Sequence, residues 1–169
     1  MKLSIIIPVF NEEKTIAQVI KNVYAVEFEN LTREIIIIDD GSSDKSLSEI
    51  KKGIAGKNGI RLIAQGKNQG KGAAVAAGIE EATGDYIIIQ DADFEYDPND
   101  IKKLVLPVLN NQAKVVYGTR LNRMPHLGKE EKRARFLLHY FGNRFLSLVT
   151  SALYGAWITD METCYKLFP

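Results

Sequence analysis

The sequence predicts an α/β fold, a mostly parallel sheet flanked by helices. Three observations carry that expectation. Short β-branched runs alternate with helix-periodic segments from end to end, the order that builds parallel sheets. Ile35–Ile38 and Ile87–Ile89 are unbroken isoleucine stretches, as strands buried on both faces have. Polar residues gather where the runs end, the rim at which such sheets bind ligands.

The elements follow in order. Leu3 to Val9 reads as the first strand. Asn11 is placed to cap the next helix, in which Ile16, Val19, Ile20 and Val23 fall at i, i+3, i+4 and i+7. Glu34 to Asp39 is a central strand. Ser43-Asp44 then opens a second helix carrying Leu47, Ile50 and Ile54, with Ser42 or Ser43 as its cap. Arg61 to Ala64 is a weaker strand, and Gly70 to Thr83 a small-residue helix rich in alanine. Asp85 to Gln90 is the fourth strand. Asp97-Pro98 starts a helix with Pro in its first turn, where it is tolerated, and Pro107 should kink or end that helix. Lys114 to Gly118 is a fifth strand. Lys132 to Leu153 is a long helix in which Leu137, Leu138, Phe141, Phe145, Leu148, Val149 and Ala152 share a broad face, with Lys132, Arg135 and His139 on the other side. Such a helix either closes a core or lies on an anionic membrane surface.

A chain of 169 residues forms one compact domain, here spanning 1–169. Its 46% apolar and 25% charged residues are those of a globular protein, and a formal net charge of +1 argues against a broad electrostatic nucleic-acid binder. Cys164 is the only cysteine, so no disulfide forms within the chain, which fits a cytoplasmic setting. Neither a signal-peptide pattern nor an apolar run of about 18 residues is present. The chain stops directly after a motif-like polar segment, so the natural protein is expected to continue. His126 and His139 are too few and too scattered for a zinc site.

Five polar clusters sit at the strand ends: Asn11-Glu12, Asp39-Asp40-Gly41-Ser42, Asn68 to Gly72, Asp91-Ala92-Asp93 with Glu95, and Gly118-Thr119-Arg120. Asp91 and Asp93, one residue apart beyond a buried strand, can both approach a hard cation, with Glu95 as a candidate third ligand. Mg²⁺ or Mn²⁺ needs few protein oxygens, because water and ligand phosphates supply the rest. Asp39-Asp40 are adjacent carboxylates that repel unless a donor or cation relieves them. One can bind ribose hydroxyls or a base edge while the other shapes the Asp40-Gly41 turn. Gly70-Lys71-Gly72-Ala73-Ala74 matches a loose dinucleotide pattern. That fingerprint belongs after the first strand, however, where Pro8 to Glu12 holds no glycine, which argues against a nicotinamide or flavin cofactor. The glycines instead let this helix pack closely and leave its first amides near a ligand, with Lys71 either facing phosphate or solvated. Paired acids at strand ends also occur in phospho-acceptor receiver domains, but those require a lysine after the fifth strand, where this chain has Arg120.

Taken together, Ile6 to Glu13, Ile37 to Asp44, Asn68 to Ala74, Gln90 to Pro98, Gly118 to Arg120 and Thr159 to Lys166 resemble glycosyltransferase family 2. The resemblance is closest to the branch of dolichyl-phosphate mannose synthases and related polyprenyl-phosphate glycosyltransferases, and it covers nearly the whole chain in order. It implies a GT-A, Rossmann-like fold, inverting transfer of a hexose from a UDP- or GDP-sugar, and a divalent metal. On matching positions, Pro8, Phe10, Glu12 and Asp39 look like the nucleoside pocket. Asp91 and Asp93 look like diphosphate and metal contacts, with Glu95 where relatives often place Gln. Arg120 and Arg135 look like contacts to an acceptor phosphate. A polyprenyl-phosphate acceptor implies work at the cytoplasmic face of a membrane. Many relatives carry transmembrane helices after this domain, and this chain stops before any such segment.

The residues also bear on mechanism. Charge develops on the leaving diphosphate, where a metal on Asp91 and Asp93 can act as a Lewis acid. A hydroxyl acceptor needs a carboxylate base, and Asp160 or Glu162 is the candidate. A phosphate acceptor, with a second pKa of roughly 6, is already anionic and needs positioning, for which Arg120 is suited. A non-catalytic nucleotide-sugar binding module is the reading from a different class, and the intact acidic triplet argues against it.

Overall fold

The computed structural model describes residues 1–119 and 130–169, with side chains for 1–119 and 140–169. Six strands form one sheet: β1 (Lys2–Val9), β2 (Thr32–Asp39), β3 (Ile60–Ala64), β4 (Tyr86–Ile89), β5 (Val116–Tyr117) and β6 (Lys166–Phe168), in the order β3-β2-β1-β4-β6-β5. β1 pairs in parallel with β2 and β4, and β2 with β3. β6 runs antiparallel to β4, with Leu167 opposite Ile88. The helices are α1 (Ile16–Ala25), α2 (Ser46–Ile54), α3 (Lys71–Glu81), α4 (Ile101–Leu109) and α5 (Glu130–Tyr154). The expected α/β class and mostly parallel sheet are therefore observed. The chain divides into two compact units, Met1–Val116 with Tyr165–Pro169, and Tyr117–Cys164.

In the first unit the isoleucine runs do what their composition requires. Ile5 to Ile7 and Ile35 to Ile38 are fully buried in adjacent central strands, so both sheet faces are covered. α1 buries Ile16, Val19, Ile20 and Val23, the positions its period marks. α3 lies close on β1 because Gly78 has no side chain: a Cβ there would meet Ile6 Cγ2 at 2.5 Å.

Several local expectations are corrected. Asn11 does not cap α1. It takes a left-handed conformation (φ 56°), and its Oδ1 accepts from the amide of Ser43 at 2.8 Å. The first turn of α1 instead closes on the Glu12 carbonyl, which accepts from Thr15 and Ile16. α2 begins at Ser46, later than Ser43-Asp44, because Asp44 Oδ1 accepts the Ser46 amide at 2.8 Å and holds 44–45 outside the helix. The Pro98 turn is a separate 3₁₀ turn, Pro98–Asp100, capped by Asp97. Pro107 neither stops α4 at once nor prevents its last turn, since the helix ends two residues later at Leu109.

At the amino end of the sheet, Glu34 is buried and fully partnered. Its Oε1 accepts from Ser4 Oγ (2.6 Å) and from the Thr83 amide (2.7 Å) and hydroxyl (3.0 Å), while Oε2 pairs with Lys2 (3.2 Å) and Arg61 (3.3 Å). Burial alone would raise its pKa, but the hydrogen bonds from Ser4, Thr83 and Lys2 outweigh it and bring the carboxyl down to about 2.

Candidate active site

The carboxyl ends of β1 and β2 are laced together before they meet any ligand. The amide of Asn11 donates to Ser42 Oγ (3.0 Å), Glu12 to Ser46 Oγ (2.7 Å) and Glu13 to Asp44 Oδ2 (3.1 Å), and Lys45 returns its amide to Glu13 Oε2 (3.0 Å). Burial pushes the Asp44 pKa up, but hydrogen bonds from Ser46 and from the Glu13 amide prevail and hold it below the usual carboxylate range. Gly41 lets the loop after β2 approach the loop after β3. Its φ is +68°, and a Cβ would lie 2.6 Å from the Lys67 carbonyl carbon. Asp40, buried, then accepts the amides of Gln69 (2.9 Å) and Gly70 (2.8 Å), fixing the backbone that leads into α3.

These loops enclose a cleft of about 310 Å³ lined by Pro8, Phe10, Glu12, Asp40, Lys71, Asp91 and Asp93, among others. The sequence reading named each of these seven. Lys71, the first residue of α3, reaches across the cleft, and its Nζ lies 2.5 Å from Asp91 Oδ1. Asp93 Oδ1 accepts the Glu95 amide at 3.0 Å, which sets the turn of the acidic loop. Glu95 itself is exposed and does not line the cleft.

The acidic loop has supports that the sequence reading missed. Gln90 is fully buried, and its Nε2 donates to the Asp91 carbonyl at 3.1 Å. Tyr165 donates its hydroxyl to Gln90 Oε1 (2.5 Å) and to the Asp97 carbonyl (3.1 Å), and its ring lies 4.5 Å from that of Tyr96. Burial, followed by the carboxylates of Asp100 and Asp97, raises the Tyr165 pKa, so it remains a donor. The signal for these contacts is weak in sequence, because the partners Gln90 and Tyr165 are 75 residues apart.

Asp39 does not line the cleft but is buried beside it in sequence. Its Oδ1 has no hydrogen-bond partner among the described residues, and neither does Gln65 Oε1 at the neighbouring strand end. The Gln65 amide donates to the Asp39 carbonyl at 2.8 Å. Buried acceptors left unpaired are costly.

The cleft also fits a divalent cation. Among the described residues no three acidic, His or Cys side chains form a ready cage. Mg²⁺ and Mn²⁺ do not need one, since one or two carboxylates plus substrate phosphates suffice. Asp91, its side chain only 10% exposed, already has a cation beside it in Lys71.

The second unit holds the remaining candidates. Asp160 is buried and accepts from Asn143 Nδ2 at 2.6 Å, while Asn143 Oδ1 accepts the Met161 amide at 3.1 Å. Ser147 Oγ also accepts from Met161, at 3.0 Å. α5 is thus turned with its polar Asn143 and Ser147 inward, leaving Phe141 and Phe145 about two-thirds exposed and Leu148 and Leu153 outward as well. Arg120 and His126 lie outside the described residues, as do the side chains of Arg135 and His139. No helix among the described residues is long and apolar enough to cross a membrane.

A mostly parallel α/β sheet with an acidic, lysine-bearing cleft at its strand ends is the GT-A fold. Residues 4–165 match the profile of Glycosyl transferase family 2, and the chain belongs to that family. It is similar to the UDP-N-acetylglucosamine–dolichyl-phosphate N-acetylglucosaminyltransferase of Methanococcus voltae, at 31% identity over 97% of this chain and 68% of that protein. It also resembles the dolichol-phosphate mannosyltransferase of Pyrococcus furiosus, at 30% identity over 71% of this chain and 33% of that protein. Among solved structures, glucosyl-3-phosphoglycerate synthase of Mycobacterium tuberculosis in complex with Mn²⁺, UDP and glucosyl-3-phosphoglycerate superposes with a TM-score of 0.67 at 22% identity, over 99% of this chain and 56% of that one. The chain thus spans between about a third and two-thirds of the length of these proteins.

Proposed function

We propose that this chain transfers a hexose, with inversion, from a UDP- or GDP-sugar to a polyprenyl phosphate at the cytoplasmic face of a membrane. The observation that carries the reading is the single cleft that joins Pro8, Phe10 and Glu12 to Lys71, Asp91 and Asp93. It offers an aromatic and apolar wall for a nucleoside beside charges suited to a diphosphate. Relatives whose names specify dolichyl-phosphate acceptors support the acceptor class.

In this reading Pro8 and Phe10 pack against the nucleoside, and the unpaired Asp39 Oδ1 accepts one of its N–H or O–H groups. Asp40 holds the Gln69 and Gly70 amides so that the start of α3 faces the diphosphate. Asp91 and Asp93 would hold Mg²⁺ or Mn²⁺, with Glu95 the next carboxylate along the loop. A divalent ion there supplies Lewis-acid stabilisation of charge on the departing diphosphate. Gln90 and Tyr165 keep the loop that carries both carboxylates in place.

The acceptor phosphate is anionic near neutral pH and needs aiming more than deprotonation. Arg120, with Arg135, is assigned to grip it, since a guanidinium can hold two phosphate oxygens at once. The competing assignment makes Asp160 or Glu162 the base for a hydroxyl acceptor. Asp160, however, is buried and engaged by Asn143, an arrangement that suits holding the 160–162 segment better than meeting a hydroxyl. The exposed Phe141, Phe145, Leu148 and Leu153 of α5, with Trp157 just beyond, form the apolar surface assigned to peripheral membrane contact.

Donor affinity and transfer to a short-chain polyprenyl phosphate, measured side by side, test this. Arg120→Ala should lose most transfer while donor affinity holds, and Arg120→Lys should also be poor. Normal transfer by Arg120→Ala, with Asp160→Asn inactive but still binding donor, would put a hydroxyl acceptor in place of the phosphate.

A further inference from the structure

The ion pair inside the cleft points past a static binding role for Lys71. Asp91 is the more buried partner of the pair, with its side chain 10% exposed against 57% for Lys71. The Lys71 ammonium, 2.5 Å away, is the cation that the structure places against it. The Asp91 main chain cannot retreat, because Gln90 holds its carbonyl and Tyr165 holds Gln90. Lys71, by contrast, is a point charge on a flexible stem. It stands at the first position of α3, where the helix dipole disfavours a cation and favours an anion. Asp40, another acid lining the cleft, is already occupied by two backbone amides.

From this geometry we infer that Lys71 is a stand-in cation for Asp91 that a divalent ion must displace. In the nucleotide-free cleft its ammonium neutralises Asp91 and competes with bare metal. With metal and donor both bound, Asp91 would hold the metal and the Lys71 ammonium would turn to the donor diphosphate at the start of α3. Metal and nucleotide therefore bind interdependently, and bare metal binds weakly. The inference rests on the proposed metal role of Asp91 and adds the coupling. Because such coupling is reciprocal, each ligand raises the affinity for the other by one factor.

Manganese binding followed by the electron paramagnetic resonance of free Mn²⁺ tests the exchange without any turnover. For the wild-type chain, UDP or GDP should tighten Mn²⁺ by about tenfold or more. Lys71→Met should tighten Mn²⁺ alone several-fold, weaken nucleotide binding at saturating Mn²⁺ and so shrink the coupling. Lys71→Arg, which keeps the charge, should stay near wild type. Lys71→Gln gives a second charge-free variant, and its melting temperature checks folding. The gain must vanish in Lys71→Met/Asp91→Asn compared with Asp91→Asn alone. If Lys71→Met and Lys71→Gln bind bare Mn²⁺ no better than wild type while nucleotide still tightens the metal, the exchange is wrong and the metal site stands. If no variant binds Mn²⁺ even with nucleotide present, the metal role falls and takes the exchange with it.

Discussion

Glu34 at the amino end of the sheet is held differently from Asp39 and Asp91 at its carboxyl end, where Asp40, by contrast, is saturated by backbone amides. At the amino end, Glu34 receives hydrogen bonds from Ser4 and Thr83 and pairs with both Lys2 and Arg61. At the carboxyl end, Asp39 is also buried and its Oδ1 has no partner among the described residues, while Asp91 pairs with the half-exposed Lys71. Both ends are built from strands with the same isoleucine-rich interior, so the difference is not one of core quality. A carboxylate that serves the fold is saturated by the fold. The acids we assign to a ligand keep capacity that the described residues do not fill, at some cost in stability.

That contrast breaks if the carboxyl-end acids prove structural. Asp93→Asn should lower turnover by ~10²-fold or more, the usual cost of weakening a transition-state charge contact, while the melting temperature barely changes. Equal losses of stability and activity would place Asp93 with Glu34.

The contrast sharpens at the other end. Glu34→Gln leaves Lys2 and Arg61 without their shared charge and should destabilise the domain by about 1–3 kcal/mol, read by urea denaturation, with nucleotide affinity unchanged in the folded protein. Acid offers a milder version of the same test. The Glu34 pKa is about 2 when folded, below its ordinary value of 4.5. Its contribution is therefore fully present above that ordinary value and is lost as pH falls through about 2. The wild-type chain should thus lose stability more steeply than Glu34→Gln as pH is lowered across that window.

Much of this contrast was legible in the sequence at one end and little of it at the other. The four isoleucines before Asp39 mark a doubly buried strand. An acid directly after such a strand has few reasons to be there besides a ligand. Glu12, Asp40, Lys71, Asp91 and Asp93 could be gathered because each lies in a polar cluster at the end of a strand that periodicity reveals, whereas Pro8 and Phe10 are marked only by the family resemblance. Glu34 gave no such signal, because its partners Ser4, Arg61 and Thr83 come from three other segments. β6 was missed for a related reason: three residues carry no period, and their place beside β4 is set by the buried Leu167 and by Phe168, which packs on a cluster of residues from far earlier in the chain. With β6 went Tyr165 and its support of Gln90. α5 shows the limit of pattern from another side. Its apolar face was visible, but only the buried contacts of Asn143 and Ser147 with the 160–162 segment reveal that this face points outward.

Titration calorimetry with UDP and with GDP, in Mn²⁺ and then in EDTA, tests most directly whether the unfilled capacity at the carboxyl end belongs to a metal-bound nucleoside diphosphate. One of the two nucleotides should bind in Mn²⁺, lose most of its affinity in EDTA, and lose it equally in Asp91→Asn with metal present. Equal affinity with and without metal, unchanged by Asp91→Asn, would contradict the assignment of Asp91 and Asp93.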